Sequence, residues 1–226
     1  MKLSKRLQAI YDMVPQGIAA DVGSDHGKLI ISLFEGGVIS KGFAIENKKG
    51  PYQRLVKEIE NHHLLDDVIP MLSDGVTDLP PEVDTVIIAG MGGMNIIKIL
   101  KAHPSKIKNV QTIIVDAHNA IPEMRKAICK MGFIIAEEDI VNEDDIYYEI
   151  IKFIRGEEAY LDEPDFEFGP KLRSEKSALF KAKYMSRIKE IDNLLSKNTL
   201  PTNRIVELND EKKRIEKVLW TLENYF

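Results

Sequence analysis

"IAADVGSDHGKLI", residues 18–30, passes from an apolar run into two glycines, two aspartates and a histidine within the seven positions Asp21–Gly27. Small and β-branched residues without polar alternation read as a strand covered on both faces. Such a strand, running into Gly23-x-x-x-Gly27 and then a helix start, has the form of a ligand loop in a doubly wound α/β fold. Glycine lets the backbone approach a ligand, and the helix start offers unpaired N–H groups. A tight turn closed by a capping aspartate would leave the same trace, so the rest of the chain has to decide.

Outward from this stretch the pattern repeats. Residues 1–14 place Leu3, Leu7, Ile10 and Met13 or Val14 at the spacing of an amphipathic helix. Short apolar runs recur at Gly17–Val22, Lys41–Ile45, Val68–Leu72, Asp84–Ala89 and Thr112–Val115. Segments with helical periodicity lie between the first three runs and after the fourth and fifth, as at Tyr52–His62 and Asn95–Lys101. That alternation predicts a doubly wound, mostly parallel sheet. Gly132–Val141 and Ile146–Ile154, joined by the acidic "NEDD", predict an antiparallel hairpin closing it. The stretch 155–170, "RGEEAYLDEPDFEFGP", is acidic and non-periodic and reads as a connection.

From about Lys171 two long helices follow, split by "SKNTLPTN". Tyr184, Ile188, Ile191 and Leu195 mark the seam of the first. Ile205, Leu208, Ile215, Leu219, Leu222 and Phe226 mark that of the second, with Lys212 as its polar position. Heptad-like spacing on both predicts an antiparallel coiled-coil hairpin. The expected division is a domain over 1–160 and a connection plus hairpin over 161–226.

A chain of 226 residues, 44% hydrophobic and 30% charged, can bury the core of one α/β domain with a smaller appendage. Its single cysteine, Cys129, excludes an internal disulfide framework, fits a reducing compartment, and falls where a buried helix residue is expected. No apolar stretch approaches the roughly 20 residues of a membrane span, and the first residues lack a secretory signal's apolar core. The expectation is a soluble cytoplasmic protein with no membrane association. His62 and His63 have no cysteine or histidine partner at ligand spacing, so no metal is expected. Tyr147 and Tyr148 are expected to pack the hairpin. The net charge of −5 is unevenly spread: residues 171–226 carry 13 Lys and Arg against 8 Asp and Glu, the rest 18 against 28. A module that contacts a polyanion, attached to an acidic domain, would show this asymmetry, as would a lysine-rich solvated helical surface.

The glycine loop sets the ligand's charge. Asp21 and Asp25 would repel a pyrophosphate, the full G-x-G-x-x-G pattern is missing, and no Gly-Lys-Ser/Thr follows. This argues against a mononucleotide and against a nicotinamide-dependent oxidoreductase. S-adenosylmethionine, with a sulfonium and an ammonium group, suits an acidic glycine loop. Spacing agrees: Glu46 ends the second run, 23 residues past Gly23, where a carboxylate grips ribose hydroxyls. Asp74-Gly75 ends the third, placed to hold an adenine amino group, and "AGMGG" (89–93) ends the fourth beside the expected reaction centre. The candidate cofactor residues are therefore Asp21, Gly23, Ser24, Asp25, His26, Gly27, Glu46, Asn47, Asp74, Gly75, Ala89, Gly90, Met91 and Gly92.

Several stretches together resemble the bacterial tRNA (adenine-N1)-methyltransferases of the TrmK type, which modify adenine 22 in the D-arm. They are "LSKRL" (3–7), "ADVGSDHG" (20–27), "GPY" (50–52), "IAGMGG" (88–93), "YYEI" (147–150), "FGP" (168–170) and "SEKSALF" (174–180). The resemblance covers almost the whole chain in order. It implies a class I (Rossmann-like) methyltransferase domain with a C-terminal coiled-coil hairpin, S-adenosylmethionine as donor and tRNA as acceptor. It also implies that Asp21, Gly23, Asp25, His26, Glu46, Asp74 and Gly90–Gly92 line the cofactor side. Two departures stand out: Asp116-Ala117-His118-Asn119 where the family has Gln-Pro-Asn, and Gly27 where it has a bulkier residue.

On this reading His26, Met91, Asp116, His118 and Asn119 are the candidate catalytic residues on the base side. The basic hairpin would contact the tRNA backbone, and the protein is expected to be a monomer or weak homodimer. The alternatives are an S-adenosylmethionine-dependent methyltransferase acting on another RNA, or on a small molecule, which would have no need of that hairpin. A non-catalytic Rossmann-type binding protein would share the pocket without transferring a methyl group.

Overall fold

The computed structural model describes residues 2–157, 161–175, 177–197 and 200–223. They divide into two compact units, Met1–Lys171 and Leu172–Phe226.

The first unit is built on a seven-stranded sheet: β1 (Gly17–Val22), β2 (Ile39–Glu46), β3 (Val68–Leu72), β4 (Thr85–Met91), β5 (Thr112–Ala117), β6 (Phe133–Glu143) and β7 (Ile146–Arg155). The spatial order is β3-β2-β1-β4-β5-β7-β6. β1 to β5 are parallel, while β7 runs antiparallel to both β5 and β6. The predicted doubly wound sheet is therefore present, with its switch in strand order between β1 and β4, where a ligand crevice forms outside the carboxyl ends. Ile39 and Ser40 also join the second strand, ahead of the expected start at Lys41.

Both faces are covered. Helices α1 (Lys5–Met13), α2 (Lys28–Glu35) and α3 (Lys49–Asn61) pack one side through Ile10, Leu29, Ile30, Leu33, Leu55 and Ile59. Helices α4 (Gly93–Ala102) and α5 (Ile121–Cys129) cover the other through Ile96, Leu100, Met124 and Ile128. α1 is started by Ser4, whose hydroxyl accepts the Leu7 N–H at 3.3 Å. Cys129 closes α5 and is half-buried rather than buried, because it lies at the helix end.

The hairpin turns through Asp144 and Asp145 alone, both left-handed at φ 51° and 61°, the geometry that matches strand twist in a two-residue turn. β7, apolar on both faces, takes the inner position, and β6, with Glu137 and Asp139 outward, takes the edge. Charge on an edge strand blocks further pairing.

The expected non-periodic connection is in part helical. Asp162 and Asp165 form a reciprocal capping box that starts α6 (Glu163–Phe168). Arg125 of α5, fully buried, reaches Glu138 of β6 at 2.8 Å, Glu149 of β7 at 2.5 Å and the Phe166 carbonyl of α6 at 3.0 Å. Gly169 is a close approach: a Cβ there would lie 2.6 Å from Glu138 Oε2 and 2.8 Å from Arg125 Nη2. "YYEI" and "FGP" thus contribute Glu149 and Gly169 to the packing around one buried guanidinium.

Between α6 and the long helices stands α7 (Pro170–Glu175), so the first long helix starts later than expected, at Ala178. In the second unit α8 (Ala178–Ser196) and α9 (Thr202–Glu223) pack against one another. Tyr184, Ile191, Leu208, Ile215 and Leu219 are buried as the spacing predicts, and Val218 joins them. Ile205 is exposed instead, since it lies in the first turn of α9. The Leu222 side chain and Phe226 lie outside the described residues. Lys212 reaches across to Asp192 at 2.6 Å, and Arg187 makes two bonds to Glu211, at 2.7 and 3.0 Å. Among the described residues, no helix is long and apolar enough to cross a membrane.

Candidate active site

Two clefts open at the carboxyl ends of β1–β4 and share Gly23. The larger, about 510 Å3, is bounded by Gly23, Glu46, Asn47, Asp74, Gly75 and Met91 on its strand-end side. The smaller, about 180 Å3, is lined by Asp21, Gly23, Ser24, Asp25, His26 and Ala89, together with Arg6 of α1. Eleven candidate cofactor residues therefore line one cleft or the other; Gly27, Gly90 and Gly92 do not.

The three glycines act through the backbone. Gly27 is left-handed at φ 66° and leads into α2, and a Cβ there would lie 2.8 Å from Leu55. This chain packs Leu55 and Ile31 where a bulkier residue would project. Gly90 is left-handed at φ 75° and turns the end of β4. Gly92 caps α4, and the next residue, Gly93, donates its N–H to the Asn119 carbonyl at 3.0 Å and to Asn119 Oδ1 at 3.3 Å.

Charge is concentrated where the clefts meet. Asp21 is buried at 5% exposure, and its Oδ2 accepts the Ser24 hydroxyl at 2.7 Å. Burial lifts its carboxyl to about 6, the Ser24 hydrogen bond opposing the shift and the charge of Glu46 adding to it. Glu46 is also buried, and its Oε1 accepts the Asp25 N–H at 2.7 Å, which fixes the loop. Asp25 itself is left-handed at φ 46° and exposed, with His26 Nε2 3.8 Å and Arg54 Nη2 3.8 Å from its carboxylate. Asn47 and Asp74 lie side by side across the larger cleft, 3.5 Å apart. Thr77 donates to the Asp74 carbonyl at 2.6 Å and meets His103 Nε2 at 3.1 Å, so Thr77 and His103 buttress that wall.

A cationic nucleoside fits these residues. Gly23, left-handed at φ 80°, lets the Met91 side chain lie directly against the loop where the two clefts meet. Among the described residues no cationic side chain pairs with buried Asp21, and a positive ligand group would stabilise its ionised form.

Three of the five base-side candidates, Asp116, His118 and Asn119, do not line either cleft. Asp116 is fully buried at the end of β5, where its Oδ2 accepts Arg6 Nη1 at 2.6 Å. Arg6 stacks 5.2 Å from the centre of the Tyr148 ring, which His118 meets edge-on at 6.2 Å. Asn119 is turned to the start of α4. His26 and Met91 do face the clefts. Sequence reasoning missed the placement of Arg6, Tyr148, Thr77 and His103. Arg6 and Tyr148 fall inside "LSKRL" and "YYEI", so the motifs marked them, but Arg6 was given no role and Tyr148 only that of packing the hairpin. His62, considered for a metal, pairs with Glu35 at 2.7 Å.

Residues 19–220 match the family model described as tRNA (adenine(22)-N(1))-methyltransferase, TrmK. The tRNA (adenine(22)-N(1))-methyltransferase of Bacillus subtilis is 29% identical over 201 residues, 86% of this chain and 84% of that protein. The crystal structure of Streptococcus pneumoniae Sp1610 in complex with S-adenosyl-L-methionine superposes with a TM-score of 0.88 at 33% identity, covering 96% of this chain and all of that one. The Bacillus subtilis m1A22 tRNA methyltransferase TrmK superposes with a TM-score of 0.85 at 26% identity, covering 96% and 98%. With the sheet order, the acidic strand ends and a match over nearly its full length, the chain belongs to the tRNA (adenine(22)-N(1))-methyltransferase family, TrmK.

Proposed function

We propose that the protein transfers a methyl group from S-adenosylmethionine to N1 of adenine 22 in tRNA. The observation that carries this reading is the pair of clefts meeting at Gly23, where Asp21, Glu46 and Asp74 face a space sized for a nucleoside. S-adenosylmethionine, when bound, supplies an electrophilic methyl group on a sulfonium. Glu46 and Asn47 would hold the ribose side and Asp74 and Gly75 the adenine side. Asp21, Ser24, Asp25 and His26, with Gly23, Gly27 and the Ala89–Gly92 turn, would enclose the methionine side.

Adenine N1 carries a free lone pair at neutral pH, so the residues here need supply no strong general base. Their work is alignment, and acceptance of the positive charge that the ring acquires. His26, Met91, Asp116, His118 and Asn119 form the base side in this reading. N1 lies on the Watson–Crick edge, so the adenine must be unpaired when it enters.

The N-terminal unit acts as the methyltransferase domain. The C-terminal hairpin, with its excess of Lys and Arg, contacts the tRNA backbone. The enzyme works in the cytoplasm as a monomer or weak homodimer.

The test is methyl transfer from labelled S-adenosylmethionine to total tRNA, followed by mapping of the modified nucleotide. 1-Methyladenosine at position 22 is expected. Label that never enters tRNA, or that enters at another nucleotide, overturns the reading.

A further inference from the structure

We infer that Arg6 is a positioning residue for methyl transfer, aiming Asp116 so that its buried Oδ1 accepts the exocyclic amine of the target adenine. This rests on the methyl-transfer reading above. Asp116 is buried completely: Oδ2 is held by Arg6 at 2.6 Å, and Oδ1 has no hydrogen-bond partner among the described residues. A buried acceptor left unpaired is costly, and at a functional site its donor is expected to come from the ligand.

The surroundings say which ligand. Arg6 lines the smaller cleft together with Asp21 and Ala89, and Ala89 is the β4 residue in register with Asp116. Gly90 adjoins the cluster; a Cβ there would lie 3.3 Å from Arg6 Nη1 and 3.9 Å from His118 Nε2. Gly90 is exposed and has no side chain, so a planar base can approach across it. In adenine the 6-amino group is a donor directly beside N1, whereas guanine presents a carbonyl there, which a carboxylate repels.

Arg6 is suited to aim that carboxylate. Its guanidinium is pinned by Asp116 on one side and the Tyr148 ring on the other, 110 residues or more away in sequence. A planar fork fixed in this way holds a carboxylate orientation that a lysine ammonium would not.

The test uses the full chain and tRNA carrying either adenine or purine, which lacks the 6-amino group, at the target position. In Arg6→Met, kcat on adenine-tRNA is expected to fall by roughly ten- to a hundredfold. KM for tRNA should stay within about twofold, and any loss of S-adenosylmethionine affinity by calorimetry should be much smaller than the fall in kcat, which is read at saturating cofactor. The wild-type preference for adenine over purine should collapse in Arg6→Met and in Asp116→Ala, and the double variant should be no slower than the slower single. Arg6→Lys should be intermediate, and it decides the matter by the same measures if Arg6→Met does not fold.

An unchanged kcat overturns the inference. So does a rise confined to KM for tRNA, which would mark a phosphate contact, and so do effects that multiply in the double variant. A wild type that methylates no tRNA overturns the reading and the inference together; an active wild type with an indifferent Arg6 variant overturns the inference alone.

Discussion

Asp21, which the proposed function places against the cofactor, is held in the free protein at a cost. Its folded carboxyl sits at about 6, above its ordinary 3.8, because burial disfavours the ionised form. With the folded value raised, its contribution to stability is full below about 3.8 and is lost as pH rises through about 6. At pH 7 the ionised side chain therefore opposes folding, by roughly 2–3 kcal/mol at most. Asp21→Asn is expected to raise the melting temperature of the free protein at pH 7 and to leave it unchanged near pH 4. The same variant should bind S-adenosylmethionine far more weakly by calorimetry, while wild-type affinity increases between pH 5 and 7. A variant that binds as tightly as wild type would remove Asp21 from the cofactor site.

At the scale of elements, the Arg125 cluster ties α5, the β6–β7 hairpin and α6 through one cation. Two buried carboxylates face it, and burial keeps Glu138 above its ordinary range although the Arg125 charge acts against this. Replacing the guanidinium would leave those carboxylates without their cation, and breaking a buried pair of this kind costs roughly 3–5 kcal/mol. Arg125→Met is expected to lose about that much in urea denaturation. The site strands β1–β4 lie outside the cluster, so the surviving folded fraction should keep its affinity for the cofactor. The short helix α6 was hidden from sequence pattern because its stability comes from the capping box and from Arg125, not from apolar periodicity. The hairpin was legible because its two apolar-rich runs and the short acidic turn between them are local, whereas the order β5-β7-β6 needed the packed sheet.

For the whole molecule, charge is partitioned between two units: an acidic domain with the clefts and a C-terminal segment with more Lys and Arg than Asp and Glu. Deleting residues 172–226 is expected to weaken tRNA binding in a gel-shift assay by roughly tenfold or more and to flatten its salt dependence. Cofactor affinity should remain near that of the full chain. Retained tRNA affinity would reassign the hairpin to a structural or dimerising role.

What the sequence determined by itself is what rests on neighbours along the chain. Buried strands, crossover helices, the glycine loop Gly23–Gly27 and the acidic residues Glu46 and Asp74 all follow from local pattern, because each strand end of a doubly wound sheet is forced to the same edge. The tertiary structure alone decided which distant side chains meet. Arg6 and Asp116 are 110 positions apart and carry no mutual periodicity, and Asn119 is claimed by the start of α4 through a contact that no spacing encodes. Ion pairs and caps of this kind depend on packing in three dimensions, and the chain's order leaves no trace of them until the sheet has brought its strands side by side.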